Sequence, residues 1–231
     1  MQISKRLTTV ASFVTYGCQL ADIGTDHAYV PIYLVAGGHI PSAIAMDIRS
    51  GPLEIAKEHI REQKLCDKIE VRLSDGLEAY RQGEASSIVI AGMGGALIER
   101  ILTKGQEKLQ GIKELVLSPQ SELFLVRKWL ERNKFCIDKE TMLIEDGKAY
   151  TIIHAVLGSR KAMSQAELYY GPYLLENKHL VLKGELEKEK KLIHSILTRL
   201  ETEQGEHIDS RREELKDKLV QIEEALLYYE M

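Results

Sequence analysis

Short apolar segments alternate with amphipathic segments along the chain up to about residue 158. The apolar runs show no alternation with polar residues, so they predict strands that are buried on both faces, as in a parallel sheet. The amphipathic segments between them predict helices that cover those faces. The predicted strands are 19–24, 42–47, 68–74, 87–91 and 113–118. The predicted helices are 30–36, 51–63, 95–102 and 121–133.

The pattern changes after residue 133. Two strand-like runs flank the turn sequence at 145–148, and this arrangement predicts an antiparallel hairpin. From about residue 164 the chain is rich in Glu, Lys and Leu, with apolar residues spaced by three, four or seven positions on both sides of a break at 201–206. That spacing predicts two helices that pair as an antiparallel coiled-coil hairpin.

These patterns predict an α/β fold with two domains. The first, 1–158, is a largely parallel sheet covered by helices. The second, 159–231, is helical and forms the coiled coil.

Composition and charge describe a soluble globular protein of 231 residues with a net charge of −4. Such mild acidity argues against a protein that binds nucleic acid over its whole surface, although the segment from residue 160 onward carries −3 of that charge. The three cysteines lie far apart, so neither a disulfide framework nor a zinc site is expected, and the histidines form no metal-ligand pattern. No run of 18 uncharged apolar residues is present. We therefore expect a cytoplasmic protein with no membrane association and no metal.

The segment 20–31, LADIGTDHAYVP, is the most informative part of the sequence. It runs from a strand that ends at Asp22 and Gly24 into the start of a helix, which is where open α/β folds bind ligands. Asp26 and Ala28 stand where a dinucleotide-binding loop has its second and third glycines. A carboxylate there would repel a pyrophosphate, so the loop favours a cofactor with a cationic group. S-adenosyl-L-methionine has a sulfonium and an amino acid in place of phosphates.

Acidic residues also end the next two predicted strands. Asp47 stands at the end of the second strand, where a carboxylate accepts hydrogen bonds from a ribose diol. Asp75 and Gly76 follow the third strand, where an acid accepts a bond from an exocyclic amine and a glycine lets a flat base lie close to the backbone. A single such acid is usually a turn or cap residue. Three of them at successive strand ends predict a nucleoside site.

The fourth predicted strand ends in the glycine-rich sequence AGMGG, 91–95. The glycines there either pack closely at a strand-to-helix turn or contact the ligand directly. In both cases they leave an open floor for a planar acceptor beside the cofactor.

The order of these segments resembles a known family. ADIGTDHAYVPIYL, AMDI, SDGL, IAGMGG and SPQSE, followed by a coiled-coil tail, are similar to the bacterial tRNA (adenine-N1) methyltransferases of the TrmK family, which modify an adenine of the tRNA D arm at tRNA position 22. The resemblance covers the whole chain, and its first block is the most specific.

The resemblance implies a class I (Rossmann-like) methyltransferase fold, S-adenosyl-L-methionine as the methyl donor and tRNA as the acceptor. It also implies which residues line the cofactor pocket. Carried over by motif, they are Asp22, Gly24, His27, Asp47, Asp75, Gly76, Gly92 and Met93.

The chemistry at adenine N1 needs positioning and electrostatic stabilisation rather than a metal, because N1 carries an in-plane lone pair that attacks the methyl group directly. The ring becomes cationic as the bond forms. We expect Asp26 to stabilise that charge and to accept a bond from the N6 amino group, and we expect Tyr29 either to stack on the target base or to pack at the start of its helix.

The tRNA has to be held by local basic residues or by the helical arm. The candidates in the first domain are Lys5, Arg6, Arg49, Arg127, Lys128 and Arg132. The arm either reaches along the RNA or serves dimerisation or stability, so we expect a monomer or weak dimer. Two alternatives stay open at this point: a methyltransferase for a small molecule or protein, and a coiled-coil interaction module with a vestigial nucleotide-binding domain.

Overall fold

The computed structural model describes residues 3–158, 161–200 and 205–230. The chain divides into two compact units, Met1–Arg160 and Lys161–Met231. Within the described ranges, no helix combines the length and the apolar character needed to cross a membrane.

The first unit is built on one seven-stranded sheet. Its strands are β1 (Gln19–Ile23), β2 (Ser42–Asp47), β3 (Ile69–Leu73), β4 (Ser87–Ala91), β5 (Glu114–Ser118), β6 (Phe135–Glu145) and β7 (Lys148–Leu157). They lie in the order β3-β2-β1-β4-β5-β7-β6. The first five strands are parallel, and β7 runs antiparallel to both β5 and β6. The predicted α/β class and the five predicted parallel strands are confirmed.

The central strands are buried on both faces, which explains their unbroken apolar runs. Side chains that point to opposite faces of β4, Ile88 and Val89, are both inaccessible to solvent, and the same holds for Leu115 and Val116 in β5. Since successive side chains of a strand alternate between the faces, burial at consecutive positions requires a layer of helices on each side.

The described part of this unit contains five helices and a short 3-10 helix, Gln106–Leu109. The helices are α1 (Lys5–Ala11), α2 (Tyr29–Ala36), α3 (Ser50–Glu62), α4 (Gly95–Lys104) and α5 (Leu123–Arg132). The four predicted helices are present with ends shifted by one or two residues. Helix α5 begins later than predicted because Glu122, at φ 51°, has a left-handed conformation that a helix cannot continue through. Helix α1 was not predicted, and Ser4 caps it by accepting a bond from the Leu7 amide.

The predicted hairpin is confirmed and forms the antiparallel edge of the sheet. Strand β6 joins β7 through a turn at Asp146 and Gly147, both with positive φ. The pairing register shifts between Ile137 and Lys139, which marks a β-bulge in the edge strand.

The second unit is helical. It contains α6 (Gln165–Tyr170), α7 (Pro172–Glu176), α8 (Leu180–Leu200) and α9 (Glu206–Leu227). The Tyr229 hydroxyl donates to the His179 carbonyl at 3.1 Å, and the Arg212 guanidinium donates to the Leu200 carbonyl at 2.6 Å, so α8 and α9 run antiparallel. The apolar residues buried in this pair include Leu182, Leu186, Ile193, Leu215 and Ile222. Residues 201–204 of the predicted break lie outside the described residues, and supercoiling of the pair stays a prediction.

Candidate functional site

A cavity of about 460 Å³ lies at the carboxyl ends of β1 to β4. The chain passes from β1 outward to β2 and β3 and then returns to β4 on the other side of β1, so the order of strands reverses at this point. Open α/β sheets bind ligands in the crevice that such a reversal creates. The volume is within the roughly 300–1,000 Å³ typical of small-molecule sites.

The loop after β1 is folded tightly against the end of β2. The amides of Gly24 and Thr25 both donate to the Met46 carbonyl, at 2.8 and 2.9 Å. Gly24, Asp26 and Ala28 have φ values of 70°, 54° and 59°, so the loop alternates between ordinary and left-handed conformations before α2 begins. This geometry brings the Asp22 and Asp26 side chains to the cavity wall.

Asp22 is a buried acid of the cavity wall, with 5% of its surface exposed. The Thr25 hydroxyl donates to its carboxylate at 2.6 Å. Burial raises the pKa of Asp22 to about 7; the Thr25 bond lowers it, and the nearby charge of Asp47 raises it further. Because burial raises the pKa of Asp22, ionising its carboxylate costs free energy. A cationic ligand in the cavity offsets that cost.

Asp47 is held rigidly at the end of β2. One carboxylate oxygen accepts the Arg49 amide at 2.9 Å and the other accepts the Asp26 amide at 3.2 Å. Each oxygen has a second lone pair, so the carboxylate retains acceptor capacity for a vicinal diol in the cavity. The Arg49 side chain lies 3.5 Å from both Asp47 and Asp26.

The end of the cavity next to β3 combines an acid with apolar surface. The Asp75 carboxylate is half exposed, and Gly76 has φ 56°. Two apolar side chains, Ile48 and Ile101, also line this region, and Ile48 is 61% exposed. Such a surface suits a flat base that stacks on apolar groups and donates a hydrogen bond from an exocyclic amine.

Met93 packs directly over Gly24. A Cβ built on Gly24 would lie 2.0 Å from Met93 Cε, so no side chain fits at position 24 while Met93 keeps this conformation. Gly92, with φ 83°, also lies on the cavity wall. Both of the predicted residues after β4 therefore border the cavity.

The two predicted catalytic side chains also line the cavity. Asp26 is 55% exposed and lies 3.7 Å from His27 and 3.5 Å from Arg49. The Tyr29 ring is half-buried, 5.4 Å from the His59 ring and 5.7 Å from the His27 ring. His27 is not among the residues that line the cavity; its ring packs edge-on against Tyr29. A direct cofactor contact by His27 stays a prediction.

Several cavity residues were missed or given another role by sequence reasoning. Arg6 and Arg49 were expected to hold RNA, yet both line this cavity, and Leu97 and Arg100 line it as well. Arg6 arrives there because α1 packs beside the hairpin, where the Arg6 amide donates to Glu145 at 3.0 Å. The capping serine before an i, i+3, i+4 apolar pattern at Leu7, Val10 and Ala11 was the signal for α1.

The expectation that Arg127 contacts RNA is wrong. Its side chain is fully buried and pairs with the equally buried Glu140 at 3.0 Å. A buried guanidinium with a buried partner serves the fold, since removing either charge leaves the other uncompensated. Of its predicted neighbours, Lys128 is half-buried and Arg132 is exposed.

No group of three or more His, Cys, Asp or Glu side chains in the described part of the chain is arranged to hold a metal ion.

Comparisons with known proteins agree on one family. The family model described as TrmK, tRNA (adenine(22)-N(1))-methyltransferase, matches residues 20–224. The chain is 37% identical to the tRNA (adenine(22)-N(1))-methyltransferase of Bacillus subtilis (strain 168), over 98% of each chain. A solved structure from Streptococcus pneumoniae in complex with S-adenosyl-L-methionine is 39% identical, with a TM-score of 0.88 over 97% of this chain and 100% of that one. The structure of M. capricolum TrmK with S-adenosyl-homocysteine is 27% identical, with a TM-score of 0.87 over 99% of both chains.

Proposed function

The chain belongs to the TrmK family of tRNA (adenine(22)-N(1))-methyltransferases, and on that premise we propose how its own residues carry out the reaction. The protein is a Rossmann-like methyltransferase that transfers a methyl group from S-adenosyl-L-methionine to N1 of adenine 22 in tRNA. The open alternatives, a small-molecule or protein substrate and a vestigial domain, lose their support. One observation carries the assignment of the site: the acids that end β1, β2 and β3 line a single cavity.

The cofactor lies across the strand ends in the order of these acids. Asp75 and Gly76 hold the adenine, with Ile48 and Ile101 against its faces. Asp47 accepts the ribose hydroxyls. Asp22 and Gly24 border the methionine part, and Gly92 and Met93 lie along the edge of the pocket beside it. Asp75 is half exposed, Asp47 is fixed by two backbone amides and Asp22 has a raised pKa, so the three acids match an amine, a diol and a cation in turn.

The chain's own contribution to catalysis is to orient the base and to stabilise its developing charge. The bound cofactor supplies a methyl group on a positively charged sulfur. As the N1 lone pair forms the bond to the methyl carbon and the carbon–sulfur bond breaks, the positive charge passes from sulfur to the adenine ring and neutral S-adenosyl-homocysteine is left. The Asp26 carboxylate at the cavity wall offsets the charge on the ring while accepting a hydrogen bond from N6. Tyr29 supports the face of the base, since its half-buried ring is braced by His27 and His59.

The two domains divide the work. Residues 1–158 carry out methyl transfer, and residues 159–231 form a helical coiled-coil domain. Its lysines and arginines are largely engaged in ion pairs with neighbouring acids, including Lys190 with Glu223 at 2.9 Å and Lys188 with Glu185 at 2.7 Å. A surface of alternating charge provides no strong field for RNA, so tRNA affinity is modest and sensitive to salt.

The protein acts as a monomer or weak dimer in the cytoplasm, where tRNA and cofactor are both available.

Transfer of a labelled methyl group to unmodified tRNA tests this function. We expect label in N1-methyladenosine after nucleoside analysis, and none in a matched tRNA with guanine at position 22. Cofactor binding with no RNA labelling would refute the tRNA reaction for this chain.

Replacing Asp47 by asparagine should weaken binding of S-adenosyl-homocysteine by about tenfold, because one charge-assisted acceptor for the ribose diol is lost. Calorimetric titration measures the change. The same replacement at Asp67, an exposed acid outside the cavity, is the matched control and should leave affinity unchanged. Equal affinities of wild type and Asp47→Asn would rule out the ribose role.

A further inference from the structure

One side chain of the cavity has no role in the reaction described so far. Arg6, from α1, lines the cavity, and its Nη1 atom is shielded from solvent with no hydrogen-bond partner in the described part of the chain. Buried guanidinium nitrogens nearly always have an acceptor, because leaving such a donor unpaired costs free energy. The atom is therefore positioned for an acceptor that enters the cavity.

The Arg6 head group is held in place from two sides. Its backbone amide donates to Glu145 at the end of β6, and its guanidinium carbon lies 5.3 Å from the centre of the Tyr150 ring on β7. A cation over an aromatic face is stabilised without using a hydrogen-bond donor. The hairpin thus orients the guanidinium and leaves Nη1 available.

The location of Nη1 identifies which part of a ligand it meets. A Cβ built on Gly92 would lie 3.8 Å from Arg6 Nη1 and 3.9 Å from the amide nitrogen of Gln120, so both donors border the backbone after β4. Along the strand ends, this position is beyond Asp22 and on the opposite side from Asp47 and Asp75. It is the end of the cavity that our proposed function gives to the amino-acid part of the cofactor.

Charge distinguishes Arg6 from the other cationic side chains of the cavity. Arg49 is paired with Asp26 and Asp47, and Arg100 stands at the Asp75 end. The acceptor adenine becomes positive during transfer, so a guanidinium against it would raise the barrier.

We propose that Arg6 binds the carboxylate of the methionine part of S-adenosyl-L-methionine and so selects cofactors that carry an amino acid. This inference rests on the proposed function, since it assumes that the cavity holds this cofactor. It makes Arg6 a cofactor-specificity residue, contributed by a helix that lies outside the motifs at the strand ends.

The test compares two ligands that differ only in the carboxylate, S-adenosyl-L-methionine and its decarboxylated form, by calorimetric titration. Arg6→Met keeps the aliphatic stem and removes the charge. We expect this variant to bind S-adenosyl-L-methionine about 10–100-fold more weakly than wild type, with affinity for the decarboxylated form unchanged within about threefold. Arg6→Lys should recover part of the preference. Lys5→Met, which removes an exposed charge from the preceding position, is the matched control and should behave as wild type.

The ratio of the two affinities is measured on one protein sample, so a partly misfolded variant does not alter it. Equal weakening of both ligands by Arg6→Met would overturn the inference in favour of a structural role. Unchanged binding of both, with a raised KM for tRNA, would overturn it in favour of RNA contact. If wild type discriminates by the carboxylate but labels no tRNA, the proposed function fails while the role of Arg6 stands.

Discussion

Replacing Asp26 by asparagine is expected to lower kcat for tRNA methylation by about 100–1,000-fold, the usual cost of removing one electrostatic contact to a transition state. Asparagine can still accept a bond from the N6 amino group, but it cannot offset the positive charge that the adenine ring acquires. It is also the right replacement for the backbone, because Asp26 has φ 54° and asparagine tolerates this conformation better than alanine does. Single-turnover methylation of tRNA with saturating cofactor measures the change.

The cofactor affinity of the Asp26→Asn variant shows whether Asp26 acts on the adenine or on the ribose site. Since Arg49 lies 3.5 Å from both Asp26 and Asp47, losing the Asp26 charge can also disturb the ribose site. We expect affinity for S-adenosyl-homocysteine to stay within about threefold of wild type, which separates the two effects. A parallel loss of cofactor affinity would make Asp26 a positioning residue for Asp47, and a nearly unchanged kcat would remove it from the mechanism.

Asp146→Asn is a closely matched control. Asp146 also has a left-handed conformation, with φ 50°, and it lies exposed in the β6–β7 turn away from the cavity. It receives the same chemical change at the same backbone geometry, so wild-type kcat in this variant would show that the effect belongs to position 26.

The sheet and the row of acids could be predicted from the sequence because both depend on local patterns. Runs such as Ile88–Ile90 reveal burial on both faces, and an acid at the end of each run reaches the same edge of the sheet once the strands are parallel. Asp22, Asp47 and Asp75 were therefore found without knowledge of any tertiary contact.

The roles of the arginines could not be predicted, because each depends on a partner distant in sequence. Arg6 reaches the cavity through contacts with Glu145 and Tyr150, and Arg127 is buried because Glu140 on β6 faces it. Both look like ordinary surface charges in a local window. Burial of a charge is decided by tertiary pairing, which the amphipathic pattern of a helix does not record.

Asp22→Asn should produce the second large effect, a gain in stability combined with a loss of cofactor binding. An acid whose pKa is higher in the folded than in the unfolded protein binds its proton more tightly when folded, so its contribution to stability falls as pH rises between the two values. For Asp22 that window runs from the ordinary 3.8 to about 7, because burial disfavours its charged form. Asparagine does not titrate, so position 22 does not lower the free energy of unfolding of the variant as pH rises.

Urea denaturation of the cofactor-free proteins checks the sign. Between about pH 5.5 and about pH 8, the free energy of unfolding of Asp22→Asn relative to wild type should rise by about 1–2 kcal/mol. Asp67→Asn, at an exposed acid, should show no such rise. A difference that stays constant with pH would mean that Asp22 is already ionised at pH 5.5 and that its burial is compensated within the protein.

The ionised Asp22 carboxylate destabilises the cofactor-free protein, but it should also bind the cofactor. At about pH 8 the ionised Asp22 attracts the cationic part of S-adenosyl-L-methionine within a buried site, and its replacement should weaken binding by about 30–100-fold. The wild-type advantage should shrink toward about pH 6, where Asp22 is protonated before binding. The free ligand titrates identically in both experiments, so the difference between the two pH profiles isolates the effect of Asp22. An advantage that is independent of pH would show that Asp22 recognises the cofactor by shape and hydrogen bonding instead of by charge.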